Sequence, residues 1–194
     1  MTQQHIPVAL DRCIELLTPA IEYSLANHSS TYVIDATLGL GGHTRALLAK
    51  FPTLIVIGID RDEIALERAT KRLAPFGDRL KTAHCVFDQI SSVAHSFGFT
   101  QINGALFDLG VSSMQLDRDY KGFSFLKEGP LDMRMNPLHS LSAADIINQW
   151  SERDLGDIFR EFGEEPKWKG RAKAMGEARR KCRIATTKQR SEII

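Results

Sequence analysis

Cysteine is scarce in this chain of 194 residues, and the three that occur (Cys13, Cys85 and Cys182) lie far apart. There is no Cys-x-x-Cys pair and no His-Glu-x-x-His run, so the sequence supports neither a disulfide framework nor a zinc site, and we expect no metal. Few, scattered thiols are typical of a reducing, intracellular compartment. We therefore expect a cytoplasmic protein.

Long apolar runs are also missing. The longest are of strand length, far below the roughly 20 residues that a membrane helix needs, and no charged-then-apolar signal pattern occurs at the N-terminus. We therefore expect no membrane partner. A Gly-Lys-Ser or Gly-Lys-Thr run is absent too, which argues against a loop that binds a triphosphate. What remains is an ordinary globular composition, with 43% hydrophobic and 25% charged residues.

Positive charge is concentrated near one end of the chain. The formal net charge is only +1, yet residues 167–190 contain ten Lys or Arg residues and a single acid, Glu177. Such a basic segment indicates a polyanionic partner. A solvated helix face explains the same pattern, and the sequence leaves both interpretations open.

The most informative stretch runs from Val33 to His43. It begins with a short apolar run that ends in Asp35, which is typical of a buried parallel strand. Three glycines follow within four positions (Gly39, Gly41 and Gly42), and residues 44–51 then have helical apolar spacing. Strand, glycine turn and helix open a nucleotide-binding βαβ unit, in which the free N–H groups at the helix start suit a carboxylate or phosphate.

A second strand of the same kind strengthens this interpretation. Residues 54–59 are apolar and are followed by Asp60, which stands 25 positions after Asp35. In dinucleotide-binding folds, an acid about 20 residues past the glycine turn binds the ribose hydroxyls. Two strand-end acids without a phosphate-binding lysine favour a nucleoside ligand that lacks a polyphosphate, and S-adenosylmethionine is the commonest such ligand.

The other elements complete an α/β pattern. Further strands are predicted at 80–85 and 102–108, with helices over 9–17 and on to about Asn27, after Asp62, and through 93–97; Pro19 is expected to end or kink the first helix. Strands separated by helices indicate a parallel sheet with right-handed crossovers. A first region is placed at residues 1–109 and a second at 110–194.

The second region starts with a long stretch, 110–136, that has no good helix or strand signal. A loop of this length is usually functional or disordered, and its aromatic and methionine residues argue against disorder. From Ser142 onward the pattern is helical, with start signals at Ser142-x-x-Asp145, Ser151-x-x-Asp154 and Thr186-x-x-Gln189. One apolar stripe of the basic helix is predicted to contain the residues Trp168, Ala172, Met175, Ala178 and Cys182.

Several short motifs together resemble one known family. They are Asp35-x-Thr-x-Gly-x-Gly-Gly-His43, Asp60-Arg-Asp62, Asp108-Leu-Gly-Val-Ser-Ser-x-Gln-Leu-Asp117, Gly122-Phe-Ser-Phe125 and Pro130-Leu-Asp-Met-Arg-Met135. From His5 to about Thr187 the chain resembles the bacterial ribosomal RNA small subunit methyltransferase H family. The resemblance implies a Rossmann-like class I methyltransferase sheet with an inserted helical region. It also implies transfer of a methyl group from S-adenosylmethionine to the exocyclic N4 amine of a cytosine in small-subunit ribosomal RNA.

The resemblance also assigns roles to individual residues. The cofactor would be bound by Gly41, Gly42, His43, Asp60, Phe87, Asp108 and Gln115. From the chemistry of the amine, we expect Asp108 and Ser112 to accept its hydrogen bonds. We expect the substrate to contact Ser113, Phe123 and Arg134, and to meet the basic segment at Arg179 and Arg180. The family usually has Asn before the aromatic residue after the third strand, where this chain has Val86, so the aromatic itself is kept.

Several of these residues could instead serve the fold alone. His43 could cap a helix, Phe87 could belong to the core, Asp60 could be a helix-start acid, and Arg134 could form a structural ion pair. Ser112 and Ser113 could simply stabilise the loop with hydrogen bonds.

Members of the family that this chain resembles continue well past the point where this chain stops. We therefore expect a C-terminally truncated chain with an incomplete sheet. A fragment that binds RNA or the ribosomal subunit without turnover is the main alternative function, with a homodimer left open. A nicotinamide-dependent dehydrogenase is disfavoured, because the glycines lack the Gly-x-Gly-x-x-Gly spacing.

Overall fold

The computed structural model describes residues 7–28, 30–110, 121–124, 128–136 and 139–193. The chain divides into two units, one within residues 1–110 and the other within 111–194. The first unit is α/β and the described part of the second is helical.

A four-stranded, wholly parallel sheet forms the centre of the first unit. Its strands are β1 (Thr31–Asp35), β2 (Leu54–Asp60), β3 (Leu80–His84) and β4 (Gly104–Leu106), in the order β3-β2-β1-β4. The α/β fold class and the parallel sheet predicted from the sequence are thereby confirmed. Among the described residues β4 pairs with β1 alone, so it lies at one edge of this sheet.

Both faces of the sheet are covered, which explains the continuous apolar runs in β1 and β2. Val33 and Val56 pack in a cluster with residues of the first two helices, whereas the alternate residues Ile34 and Ile57 pack in a second cluster with Val93. Successive side chains of a strand point to opposite faces, so one strand contributes to both clusters. The buried faces fix the sheet register.

Four α-helices connect or flank these strands in the described residues: α1 (Leu10–Asn27), α2 (Gly42–Lys50), α3 (Glu63–Leu73) and α4 (Ile90–Ser96). Short 3₁₀ segments follow α3 and β3, at Ala74–Arg79 and Phe87–Gln89. The Asp62 side chain caps α3 by accepting from the N–H groups of Ile64 and Ala65, as its position predicted.

Of the two expectations for Pro19, an end of the first helix is wrong, because α1 continues to Asn27. A kink at Pro19 stays a prediction. Proline removes one backbone donor from the helix, at a cost of about 3 kcal/mol in an isolated helix. Burial of Ile14 and Ile21 on the two sides of Pro19 offsets that cost. No described helix is both long enough and apolar enough to span a membrane.

The described part of the second unit contains the helices α5 (Ala143–Gln149), α6 (Glu152–Glu161), α7 (Trp168–Lys181) and α8 (Thr187–Ile193). Ser142 and Asp145 form a reciprocal capping box, and Ser151 caps α6. Thr186 and Gln189 cap α8 in the same reciprocal way. All three predicted helix starts are therefore confirmed.

In the described part of the second unit, a core cluster has the buried members Leu131, Ile147, Met175 and Ile184. Two residues of the predicted α7 stripe face it, since Met175 is a buried member of the cluster and Ala178 packs against it. Ala172 is also buried, and it lies with Trp168 beside Gly156 of α6. Cys182 is an exception: it is exposed, because α7 ends at Lys181 and the backbone becomes extended at Cys182.

Candidate functional site

The glycine turn lies between the carboxyl end of β1 and the start of α2. Gly41 is the N-terminal cap of α2 and has φ 72°, a left-handed conformation that side-chain-bearing residues rarely adopt. A Cβ atom at this position would also lie 2.6 Å from the Leu73 side chain. The first N–H groups of α2 have no intrahelical acceptor, so the turn presents donors to a ligand beside the sheet.

Asp35 holds the turn rather than facing a ligand. It is 1% exposed, accepts a 2.7 Å hydrogen bond from the Thr44 hydroxyl, and lies 3.3 Å from the Thr37 backbone N–H. Burial raises the pKa of the Asp35 carboxyl, against the lowering effect of the bonds from Thr44 and Thr37. The first strand-end acid is therefore a structural link between β1 and α2.

Asp60 occupies the equivalent end of β2, and it is more accessible. Its two carboxylate oxygens accept hydrogen bonds from the backbone N–H groups of Gly39, at 2.7 Å, and Asp62, at 2.8 Å. Burial raises the pKa of the Asp60 carboxyl, and these two bonds oppose the rise. A carboxylate has about four acceptor positions, so two remain for hydroxyl groups of a ligand.

His43 lies in the first turn of α2 and is buried. Its Nε2 atom is 3.1 Å from the carbonyl oxygen of Val8, where an Nε2–H donates. This contact fastens the segment before α1 to the glycine turn. A direct role of His43, or of Gly42 beside it, in cofactor binding stays a prediction.

Two exposed aromatic rings follow the outer strands. Phe87 begins the 3₁₀ turn after β3 and is 40% exposed, so the alternative that it belongs to the core is not what the structure shows. Its ring meets Phe107 edge-to-face, with the centroids 6.0 Å apart. Phe107 was missed by reasoning from the sequence. The available signal was an aromatic residue directly before the strand-end acid Asp108.

Asp108 is exposed after β4. Its backbone N–H donates a 2.6 Å hydrogen bond to the Thr37 hydroxyl, in the glycine turn. The structure therefore brings the backbone of Asp108 to the turn that Asp35 and Asp60 also support. Its carboxylate is accessible to a ligand at the carboxyl ends of the strands.

The predicted substrate residues of the second unit have structural partners. Arg134 forms a two-bond ion pair with Asp132, at 2.9 and 2.7 Å, and donates to the carbonyl oxygen of His139. That arrangement matches the alternative of a structural ion pair and holds the pKa of the Asp132 carboxyl below its ordinary value. Phe123 is half-buried.

The charge of the basic segment, residues 167–190, is partly neutralised by acids outside it. Arg180 pairs with Glu152, at 3.3 Å, and Arg183 lies 3.6 Å from Asp145. The guanidinium of Arg179 donates at 2.6 Å to the carbonyl oxygen of Ile147, which ties α7 to α5. Arg179 and Arg180 are thus engaged within the unit, and their predicted contact with substrate stays a prediction.

Three predicted site residues, Ser112, Ser113 and Gln115, lie outside the described residues. Their proposed roles stay predictions. The described residues nevertheless fit a nucleoside with a carboxylate arm. A half-buried acid, a helix start and two exposed aromatic rings all stand at or after the carboxyl ends of the parallel strands.

Comparison with known proteins gives a family for this fold. The model of the MraW methylase family matches residues 2–194. A ribosomal RNA small subunit methyltransferase H from Renibacterium salmoninarum is 46% identical over 192 residues, which cover 98% of this chain and 58% of that protein. Proteins of the same name from Mycobacterium sp. strain KMS and Mycolicibacterium smegmatis are 49% and 46% identical, over 85% and 98% of this chain.

The chain spans about half the length of these curated relatives, covering 45% of the Mycobacterium protein and 51% of the Mycolicibacterium protein. The family match nevertheless extends over almost the whole chain, including every motif of the glycine turn, Asp60 and Asp108. The chain belongs to the MraW methylase family.

Proposed function

We propose that this chain is an S-adenosylmethionine-dependent methyltransferase, or the cofactor-binding part of one, that acts on the N4 amine of a cytosine in small-subunit ribosomal RNA. The observation that supports it best is the pairing of the glycine turn with the Asp60 carboxylate. That carboxylate is held beside the start of α2 by two backbone N–H groups and retains acceptor capacity. The names of the relatives support ribosomal RNA as the substrate.

Different residues of this chain bind different parts of the cofactor. Asp60 accepts hydrogen bonds from the ribose hydroxyls, and the first-turn N–H groups of α2 bind the carboxylate of the methionine part. Gly41 keeps the turn backbone close to the ligand, and His43 fixes the segment next to the turn. Phe87 offers an apolar ring to the adenine.

The chemical step needs a polarised amine. S-adenosylmethionine, when bound, supplies an electrophilic methyl group. The N4 lone pair of cytosine is delocalised into the ring, so hydrogen-bond acceptors must draw on its N–H groups as the nitrogen becomes tetrahedral. Asp108 is an exposed acceptor after the carboxyl end of β4, the same end of the sheet as the glycine turn. We assign the acceptor role to Asp108, with Ser112 as a second acceptor.

The test is methyl transfer from radiolabelled S-adenosylmethionine to undermethylated small ribosomal subunits, followed by nucleoside mass spectrometry. We expect N4-methylcytidine, and Asp108→Ala should abolish it while the affinity for S-adenosylhomocysteine changes less than turnover. Asp88→Ala, which removes an exposed carboxylate after β3, serves as the control. Methylation at another atom would contradict the proposed site of transfer.

The alternative is a chain that binds RNA without turnover. One observation favours it: residues 167–190 contain ten Lys or Arg residues and a single acid, a charge pattern that suits RNA phosphates. Tight binding of S-adenosylhomocysteine and ribosomal RNA with no methyl transfer would support this alternative. Failure to bind S-adenosylhomocysteine would contradict the methyltransferase, and failure to bind ribosomal RNA would contradict the alternative.

A further inference from the structure

The short strand β4 is held to β1 by side-chain hydrogen bonds at both of its ends. It has three residues, Gly104–Leu106, so its own backbone ladder is brief. At the amino end, the Tyr32 backbone N–H donates to the side-chain oxygen of Asn103 at 2.9 Å. At the carboxyl end, the Asp108 backbone N–H donates to the Thr37 hydroxyl oxygen at 2.6 Å. Two side chains therefore extend the pairing of β4 beyond its last ladder bonds.

The bond at the carboxyl end stands in the place of a backbone bond. The Ala36 N–H donates to the Leu106 carbonyl oxygen at 2.9 Å, and a regular parallel ladder would continue from the Asp108 N–H to a carbonyl of the opposite strand. Strand β1 ends at Asp35, however, and the Thr37 hydroxyl accepts the bond instead. A side chain thus decides where the backbone of Asp108 lies.

Thr37 lies in a part of the glycine turn that is itself held on two sides. Its N–H is 3.3 Å from the buried carboxylate of Asp35. The next residue, Leu38, donates its N–H to the Ile59 carbonyl oxygen at 2.9 Å, which bonds the turn to β2. The Thr37 hydroxyl is therefore an acceptor on a fixed support, as precise placement of a neighbouring group requires.

The residue that this bond places is the one assigned as acceptor for the target amine. Asp108 is exposed, and among the described residues the bond to the Thr37 hydroxyl is the hydrogen bond that holds it. An acceptor must come within about 2.6–3.2 Å of the group it serves. A misplacement of about 1 Å can cost roughly a hundredfold in rate. The position of the Asp108 backbone therefore affects turnover directly.

We propose that Thr37 is a positioning residue for methyl transfer, because its hydroxyl oxygen fixes the backbone of Asp108 and with it the carboxylate that accepts from the amine. This inference rests on the proposed function. Thr37 touches none of the reacting atoms and acts through Asp108. The bond requires a hydroxyl oxygen, which Ser also has and which Val, similar in shape to Thr, lacks.

Steady-state kinetics of methyl transfer to undermethylated small ribosomal subunits test this role. Thr37→Val should lower kcat by about tenfold to a hundredfold, with KM values for S-adenosylmethionine and for the subunits close to wild type. Thr37→Ser should restore the wild-type kcat. Asn103→Ala is the matched control, because it removes the corresponding side-chain bond at the other end of β4. It should lower the melting temperature and leave kcat unchanged.

Amide hydrogen exchange, followed by NMR, tests the bond independently of turnover. The Asp108 N–H should exchange slowly in the wild-type protein and in Thr37→Ser, and about tenfold or more faster in Thr37→Val. The Ala36 N–H, which is bonded to the Leu106 carbonyl oxygen, should stay protected in all three proteins and serves as the internal reference.

The outcomes distinguish this inference from the proposed function. An active Asp108→Ala variant contradicts the acceptor role in the proposed function, and the positioning role falls with it. If Asp108→Ala is inactive, a wild-type kcat in Thr37→Val overturns the positioning role alone. A loss of kcat that Ser does not restore, or that Asn103→Ala matches, also overturns it, because the hydroxyl would then serve stability only.

A wild-type protein without methyl transfer would contradict the proposed function, and amide exchange would then decide the part assigned to Thr37. Protection of the Asp108 N–H that is lost in Thr37→Val would support it. Equal exchange in the wild-type protein and Thr37→Val would overturn it.

Discussion

Replacing Asp60 with Ala is expected to weaken the binding of S-adenosylmethionine by roughly tenfold to a hundredfold. The reason is that the proposed charge-assisted hydrogen bonds to the ribose hydroxyls, about 1.5–3 kcal/mol in total effect, would be lost. The same carboxylate also accepts from the N–H groups of Gly39 and Asp62. The substitution would therefore remove the proposed ligand contact together with an observed support of the glycine turn.

Stability and affinity must be measured separately for that reason. Loss of two backbone hydrogen bonds destabilises the fold, but removal of a half-buried carboxylate relieves its desolvation. We expect a net destabilisation of about 1 kcal/mol, which is visible in a thermal melt but leaves the protein folded at room temperature.

The pH dependence gives a second test of Asp60. As the pH rises, the affinity for the ligand should increase, whereas the contribution of Asp60 to the stability of the fold should decrease. Burial raises the pKa of Asp60 above the ordinary aspartate value of 3.8. Because the ribose contacts use the ionised form, affinity should fall as the pH drops through this raised pKa. For folding, a raised pKa means a contribution to stability that is complete below pH 3.8 and is lost as the pH rises through the folded-state value.

Calorimetry on the wild-type protein, Asp60→Ala, Asp60→Asn and the control Asp88→Ala, from about pH 4 to about pH 8, would test this. Asp60→Asn should bind weakly with little pH dependence, whereas Asp88→Ala should match the wild type. A folded Asp60→Ala protein with wild-type affinity would refute the argument and leave Asp60 as a helix-start acid only.

Three further predictions concern the second unit. Leu131→Ala should destabilise the protein by about 2–5 kcal/mol in urea unfolding, because Leu131 is 1% exposed in the core, whereas Met133→Ala, at an exposed side chain, should cost far less. Gly122→Ala should lower the melting temperature, because φ is 68° and a Cβ would collide with the Pro130 carbonyl oxygen; an unchanged melt would contradict this geometry. Lys181→Ala should reduce the salt slope of ribosomal RNA binding by about one, since Lys181 is exposed without an ion pair among the described residues. Arg179→Glu should instead lower the stability of the unit, because it breaks the bond to the Ile147 carbonyl oxygen. Equal salt slopes in wild type and Lys181→Ala would favour the solvated helix face.

Local patterns in the sequence determined much of the fold. The apolar run before Asp60 predicted β2, and the Ser142 signal predicted the start of α5, because strand burial and helix capping depend on residues a few positions apart. The glycine turn was predicted for the same reason, since positive φ is a property of single residues. The family motifs singled out Asp60 and Asp108 from the residue pattern alone.

Tertiary structure decided which of these residues are accessible and which are engaged. Asp35 and Asp60 look alike in sequence, but only the fold buries Asp35 against Thr44 and leaves Asp60 partly open. The charge of the basic segment likewise gave no sign that Arg179 would be bound to the Ile147 carbonyl oxygen. Such partners come from other elements of the chain, and local spacing carries no information about them.

The meeting of Phe87 and Phe107 depends on the fold in the strictest sense. The two residues are far apart in the chain, and their strands lie at opposite edges of the sheet that the described residues form. The segments after those strands nevertheless converge to ring contact. The sequence alone determined that an aromatic residue follows β3 and another follows β4. The crossover topology places the two strands, and the bond from the Asp108 N–H to the Thr37 hydroxyl holds the segment after β4 at the glycine turn. Contacts between such distant segments arise from how the elements pack and not from their local propensities.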